Sequence, residues 1–521
     1  MINHTNYRGC AGCDLSRRAF LVAGCATCVG GLLSVGNTAF GAESTGKMRI
    51  RVFFVLMKEI MPVAGWPNIG YDYRPGMEEI TNALNKGCPD INFVYTMVEH
   101  SAKVKEIIDA DGDNVNGYIV VQMMCRGNNA INPVVESGKP VLFTDFLYCG
   151  SASFLTFTAA HLRKGSPNFS FISPSRTSDL VEAARCFKHS GTEGNLQTFV
   201  ESVTKLRNRL YPSDIDLSCT EDKLDLLSPS EVLEALKGMK ILVFNNTPIT
   251  DEQMKQSLGI EVVPLLFNEL NDEWIKADKD QAMEFVKKWK SNAVSIVNVS
   301  DETLEKSARM YLAQKSCLKR HGATAFTMNC LGGFYGGHVQ AYPCLGYHEL
   351  LNEGVVGACE CDVRSILTML ITTTKTKGRP GFISDPVIDT STKQIIYAHC
   401  VASSKQFGPA GPANPFTIMT HSEDRQGASV RSTMPVGYIT TTLEMAYQRK
   451  EILFHQAKVV GNSTDDRACR TKIAGVPMGD FDKLFTKWDQ WGWHRVTYYG
   501  DLKEPMFALA DVLGWKVVEE A

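Results

Sequence analysis

The sequence predicts an α/β protein: two doubly wound parallel α/β domains followed by a β-rich, barrel-like C-terminal domain. Three observations carry this. β-branched and aromatic runs alternate with amphipathic stretches from residue 49 onward. The alternation restarts after a linker-like stretch at 211–230. Beyond about residue 378, short β-rich runs between Gly/Pro turns replace it. The boundaries drawn are 47–180 for the first α/β domain, 181–362 for the second and 363–521 for the β-rich domain, with 1–42 as a leader.

In the first domain, residues 49–56, 91–95, 117–122 and 140–144 read as strands. Residues 75–84 and 101–110 read as helices between them, and 132–138 as a helix or turn. No G-x-G-x-x-G follows the first strand, so a dinucleotide is not indicated. The second domain offers strands at 239–244, 259–264, 293–297, 323–328 and 355–360. Its helices are 252–258, 277–290, 301–320 (capped by Asp301 or Thr303) and 345–351. The last domain shows strands at 394–398, 416–420, 437–444, 452–460 and 495–499, and helices at 480–489 and 502–513.

A chain of 521 residues with 44% hydrophobic and 21% charged residues has the composition of a globular protein of several cores. The net charge of −3 comes without a basic stripe, which argues against nucleic acid as a partner. No apolar run after the leader approaches membrane-spanning length, so no membrane association is expected once the leader is removed.

The leader reads Ser16-Arg17-Arg18-Ala19-Phe20-Leu21, then small and apolar residues to Gly36, then Ala39-Phe40-Gly41. An arginine pair, a moderately apolar stretch and a small-x-small site, in that order, resemble a twin-arginine export signal cut near 41–42. A periplasmic or secreted location is the expectation. Val22-Ala23-Gly24-Cys25 also fits a lipobox, but only six residues separate Arg18 from Cys25. Cys10-x-x-Cys13 and Cys25-x-x-Cys28 resemble metal knuckles but fall inside the segment to be removed. The other twelve cysteines are scattered, as small buried thiols are in a large protein.

The chemistry-bearing phrases cluster toward the C-terminal end. They are Glu360-Cys361-Asp362, Arg379 to Asp385-Pro386, His399-Cys400, His421-Ser422-Glu423-Asp424-Arg425, Cys469-Arg470-Thr471-Lys472 and Trp491-Gly492-Trp493-His494 through Asp501. Carboxylates, histidines and glycine turns recur where strands should end, and open α/β sheets bind ligands outside those ends. Strand alternation puts Glu360 and Asp362 on one side, so that one can hold a cation while the other moves a proton. His399 ends an apolar strand and reads first as a structural residue. Asp385 and Asp389 flank a proline turn and can serve as caps. Glu423 and Arg425 can form a surface pair, Arg470 a buried ion pair or a substrate contact, and Trp491 and Trp493 a sugar platform or core. Gly332, Gly333, Gly336 and Gly337 mark either close approach to a ligand or a flexible loop.

The order and wording of these phrases resemble the C-terminal half of the L-fucose isomerase and L-arabinose isomerase superfamily, over roughly residues 230–521. The resemblance implies a sugar or polyol substrate, aldose–ketose isomerisation through an enediol, a divalent metal (most often Mn2+) and a homo-oligomer. It assigns the metal to Asp362 and His494. The family's other ligand, a glutamate roughly two dozen residues before the Asp362 position, has no counterpart in 329–340, where His338 offers a substitute nitrogen. Glu360, Asp362 and Glu423 are the implied catalytic carboxylates, and His421, Arg470 and Trp493 the implied substrate contacts. Two further readings keep the same fold: a lyase or hydrolase acting on a glycoside, and a carbohydrate-binding protein without catalysis.

Replacing Arg17 and Arg18 by Lys should leave the protein in the cytoplasm with its N-terminus uncut, because the export receptor reads the arginine pair. Immunoblots of cell fractions measure this, and secretion of the double variant at the wild-type level refutes the signal.

Overall fold

The computed structural model describes residues 47–125, 129–190, 195–210 and 215–521. Residues 1–42, read from sequence as a twin-arginine leader, and their four cysteines lie outside the described residues, as does part of the 211–230 stretch. Lys47–Ala521 forms one compact unit built on four sheets.

The first sheet is wholly parallel. Its strands are β1 (Met48–Val55), β2 (Ile91–Val98), β3 (Gly117–Gln122), β4 (Val141–Asp145) and β5 (Phe169–Ile172), in the order β2-β1-β3-β4-β5. β3, β4 and β5 are buried at every position, the mark of a parallel sheet covered on both faces. Sequence reading missed β5 and the helices Ser151–Lys164, Thr177–Arg185 and Leu196–Leu210.

The second parallel sheet contains β6 (Lys240–Asn245) and β7 (Glu261–Leu266). The next strand, β8 (Ser295–Val297), was expected here but leaves this sheet. β9 (Ala325–Met328) and β10 (Val356–Ala358) complete the order β10-β9-β6-β7. The helix Asp301–His321 is capped by Ser300, whose hydroxyl accepts from Thr303 N at 3.1 Å, rather than by Asp301 or Thr303.

The remaining strands are β11 (Phe382–Asp389), β12 (Gln394–His399), β13 (Phe416–Met419), β14 (Ser429–Ser432), β15 (Ile439–Ala446), β16 (Glu451–Asn462), β17 (Thr471–Pro477), β18 (Arg495–Tyr499) and β19 (Lys516–Glu519). β8 pairs with β13, and β13 with β14, as a small separate sheet. The others run β15-β18-β11-β12-β17-β16, and β15 pairs back onto β16, which closes an antiparallel barrel; β19 adds to β16 in parallel. Closure removes the edges that an open sheet would expose. A register shift between Val459 and Gly461 bends β16, as barrel strands commonly bend. The helix expected at 480–489 is instead a 3₁₀ turn, Phe481–Phe485, and a short helix, Trp488–Trp491. Among the described residues no helix is long and apolar enough to cross a membrane.

A wholly buried ion pair fastens the barrel. Arg495 of β18 donates to both Glu520 oxygens at 2.8–3.3 Å, and neither side chain is exposed. His455 Nδ1 sits 3.1 Å from the same carboxylate, and its Nε2 lies 3.2 Å from the Tyr397 hydroxyl. The Arg495 guanidinium also stacks on Trp488 at 4.0 Å. Burial pushes the Glu520 carboxyl up, but Arg495 and His455 outweigh it and hold it at about 2. This depressed carboxyl stabilises the fold fully above the ordinary carboxylate range, and the contribution is lost as pH falls through about 2.

Glu520→Ala leaves Arg495 buried without its counter-charge and should cost about 3–5 kcal/mol. Equilibrium denaturation with guanidinium measures this, and a loss under about 1 kcal/mol would show that the pair does not hold the barrel.

Candidate active site

The carboxyl ends of β9 and β10 open against one rim of the barrel, and the sheet register gathers the site there. β11 pairs with β18 through Ser384↔Arg495, so the next residues, Asp385 and His494, stand side by side. β11 also pairs with β12 through Asp385↔Ala398, which brings His399, the last residue of β12, to the same rim. From the other side, Glu360 enters two residues past the end of β10.

Glu360 and Cys361 both hold left-handed backbone conformations, with φ of 63° and 59°. Two consecutive non-glycine residues in that region cost about 1–3 kcal/mol each and persist only where the surroundings impose them. The strand alternation expected to align Glu360 with Asp362 therefore does not apply: β10 ends at Ala358, and Asp362 is the N-cap of the helix Val363–Lys375. Its Oδ1 accepts from Arg364 N and Ser365 N at 3.0 and 3.1 Å. Its Oδ2 lies 3.0 Å from His494 Nδ1.

That contact fixes the imidazole. With Nδ1 on Asp362, His494 Nε2 faces Asp385 Oδ1 at 3.5 Å and Glu360 Oε2 at 3.6 Å. His399 Nε2 stands 3.6 Å from Glu360 Oε1. His494 Nε2 and both nitrogens of His399 are buried without a hydrogen-bond partner. Buried polar groups are normally satisfied, so these three atoms, two of them facing carboxylates, mark a place suited to a ligand.

The electrostatics agree. Burial works to lower the His494 pKa, yet Asp385, the Asp362 hydrogen bond and Glu360 raise it to about 10. Burial raises Asp385 to about 6, with His494 opposing and Glu360 adding to the rise. Glu360 stays below the ordinary carboxylate range despite burial, because His399 and His494 favour its ionised form. The cluster gathers Glu360, Asp362 and Asp385 around two imidazoles in a buried place, an arrangement that suits a cation. Ligand atoms of Asp385, His399 and His494 all lie within 4.8 Å of one another. Carboxylate oxygens and imidazole nitrogens suit manganese and similar divalent ions, so the donor set fits the implied metal.

Several sequence assignments change. Asp362 touches the far nitrogen of His494 and orients it, rather than facing the cluster. Asp385, read from sequence as a turn cap, and His399 take the positions at the centre. Glu360 stands about two dozen positions before Asp385, the spacing that the resemblance sets between its two carboxylates. His338 is exposed and stacked on Phe267, with ring centroids 6.1 Å apart, and the structure does not bring it to the cluster. The adjoining Gly337 has φ of 69°, and a Cβ on Gly336 would fall 2.5 Å from Gly332 O. The chain's own packing therefore accounts for these glycines.

The 421–426 turn forms a second wall. His421 Nδ1 lies 3.2 Å from Asp424 Oδ1, and Tyr342 donates its hydroxyl hydrogen to Asp424 Oδ2. Tyr335 donates to Glu423 Oε2 at 2.8 Å. Burial pushes the Glu423 carboxyl up to about 7, with His421 pulling it down and Glu360 pushing it up. Arg470 is buried and holds this turn: its Nε donates to Thr420 O at 2.8 Å and its terminal nitrogens to Asp466 Oδ1 and Thr420 Oγ1. Its guanidinium is thus engaged by the protein rather than offered to a sugar. Trp493, 39% exposed, donates its indole N–H to Thr156 on the helix Ser151–Lys164.

Comparison with known proteins gives one consistent similarity. No family model matches the chain. A sulfoquinovose isomerase of Clostridium sp. (strain MSTE9) is 23% identical over 300 residues, covering 55% of this chain and 66% of that protein. The sulfoquinovose isomerase of Priestia aryabhattai is 23% identical over 249 residues, 45% of this chain and 55% of that protein. A shorter match, 25% over 112 residues, is to the sulfoquinovose isomerase of Alkalicoccus urumqiensis, covering 21% of this chain and 25% of that protein. The alignments thus span a quarter to two thirds of these relatives' length. An ABC-transporter solute-binding protein from Burkholderia multivorans aligns over 57% of this chain and 86% of its own at 10% identity, with a TM-score of 0.18, too low to carry an argument. The similarity of sequence is to sugar isomerases.

Proposed function

We propose that this chain is a metal-dependent aldose–ketose isomerase, with Glu360, Asp385 and His494 holding the cation and His399 beside them. The observation that carries the reading is the His494 ring: one nitrogen fixed by Asp362, the other buried, unpartnered and facing two carboxylates. The similarity to sulfoquinovose isomerases supports it and makes sulfoquinovose the first substrate to assay. Export by the twin-arginine route and assembly as a homo-oligomer belong to the same proposal.

A bound divalent cation of the manganese type would polarise adjacent sugar oxygens as a Lewis acid. The chain's own groups divide the proton work. Glu360 is kept ionised by two imidazoles, whereas Glu423 is pushed to about 7 and holds a proton near neutrality. Two carboxyl groups driven apart in this way suit a base and an acid in one reaction. Tyr335 orients Glu423 through its hydroxyl, and the Asp424–His421 contact stiffens the turn that carries it. Isomerisation then needs a proton removed from one sugar carbon and a proton delivered to the neighbouring position. Of the two supports for a lyase or hydrolase acting on a glycoside, the glutamate absent from 329–340 and the expected export, the first weakens because Glu360 faces His494 Nε2 at 3.6 Å.

The test is turnover of sulfoquinovose and free aldoses in deuterated water, with solvent deuterium expected at the carbon that exchanges its proton. No turnover of any free sugar by metal-loaded protein overturns the reading. Glu423→Gln should lower kcat by about 10²–10⁴-fold. The wild-type rate should fall as pH rises through about 7, where Glu423 loses its proton, and the variant should lack that limb. An unchanged pH profile removes Glu423 from the chemistry.

Asp362→Asn keeps the shape of the cap but loses the charge that selects the His494 tautomer. Metal affinity should drop about 10–100-fold. Calorimetric titration of the metal-stripped protein measures this; affinity equal to wild type would show that Asp362 serves only the helix.

A further inference from the structure

The Glu360 carboxylate has two sides. Oε2 faces His494, while Oε1 faces His399 Nε2 at 3.6 Å. Cys359 stands with them, and the ligand atoms of Cys359, Glu360 and His399 all lie within 4.8 Å of one another. A second thiol backs Cys359: Cys330 Sγ is 3.2 Å from Cys359 Sγ but is not part of that three-residue group. The fold brings the two together because β9 and β10 are parallel neighbours, paired through Thr327↔Ala358, so the residues just past their ends lie side by side. Both thiols are free and buried, 2% and 3% exposed. His399 is 1% exposed, and neither of its nitrogens has a hydrogen-bond partner.

We propose that Cys359, Glu360 and His399 form a thiolate-bearing site for a thiophilic divalent cation such as zinc, adjoining the isomerase centre and sharing Glu360 with it. One sulfur, one imidazole and one carboxylate make a three-donor set of the kind zinc takes where a fourth position stays open. Oxygen-loving manganese gains little from thiolates, so this face discriminates between metals in a way that the Asp385–His494 face does not. The Cys359 thiol binds as thiolate and releases its proton to solvent, one per cation. The carboxylate, with one oxygen toward each imidazole, is placed to serve either position. The proposal rests on reading the Glu360 cluster as a metal centre.

Cobalt(II) titrated into the metal-stripped, full-length protein tests it by spectrum rather than by turnover. The expected result is a saturable near-ultraviolet thiolate-to-cobalt charge-transfer band, accompanied by proton release and abolished by zinc. Cys359→Ser should lose most of that band while keeping the wild-type circular dichroism. Cobalt binding without the band, or a band unchanged in Cys359→Ser, overturns the thiolate site and leaves the metal centre standing. No cobalt binding at all overturns both. Should the serine variant fail to fold, wild-type protein decides. Zinc should protect Cys359 from alkylation by iodoacetamide, read by peptide mass mapping, and equal labelling with and without zinc refutes the site.

Discussion

Arg495 is the residue on which the barrel and the site both depend. Two fully buried charges gain little net stability from meeting, since desolvation cancels most of the Coulomb attraction. What the pair supplies is position. The guanidinium is held by Glu520 on one side and Trp488 on the other, and its remaining nitrogen donates to the carbonyls of Gly492 and His494 at 3.1 and 2.8 Å. His494 is therefore fixed through its own backbone before Asp362 fixes its ring. The same strand sets Ser384 against Arg495, so Asp385 arrives beside the imidazole by register rather than by any attraction between the two.

The strain at the site has a supplier of the same kind. Two left-handed residues, Glu360 and Cys361, turn the chain sharply from β10 into the helix Val363–Lys375. Asp362 anchors that turn with both oxygens, one on the helix N-terminus and one on His494. A carboxylate at a helix N-terminus is favoured by the unpaired N–H groups there, typically by about 0.5–2 kcal/mol. This is comparable to the cost of one left-handed residue, so the cap and the imidazole contact together account for much of the strain. The helix is buried almost throughout, which prevents the turn from relaxing outward.

What could be read from sequence follows from how local each feature is. The parallel strands were legible because runs such as Gly117 to Gln122 are continuously apolar and sit between amphipathic stretches. The Glu360, Asp362 and His494 phrases were legible by resemblance. Their roles were not, because Asp362 was treated as a strand residue, and no pattern in the residues announces that Glu360 and Cys361 leave the extended conformation. Asp385 and His399 were missed for a different reason. They become neighbours of His494 only through the antiparallel pairing of β11 with β18, which spans more than a hundred residues, and such register is invisible to local periodicity. The spacing of roughly two dozen residues between the family's two carboxylates was the one available signal, and it pointed from Glu360 to Asp385. His338 was attractive only because a ligand seemed to be missing; the glycine turn that carries it outward was in plain view at Gly336 and Gly337.

The cost of the cluster bears on which kind of protein this is. A protein that only binds a sugar can do so with aromatic faces and neutral hydrogen-bonding groups. Here Glu360, Asp385, Asp362 and Glu423 are gathered with two imidazoles, three of whose nitrogens lack partners. Each such group destabilises the fold by about 1–3 kcal/mol unless something binds it. Natural proteins accept that cost where charge must develop or a proton must move, since a carboxylate with two ordinary hydrogen bonds is a poor base. The split between an ionised Glu360 and a Glu423 poised near neutrality has no use in passive recognition. It is the arrangement expected where one proton leaves a substrate and another enters it.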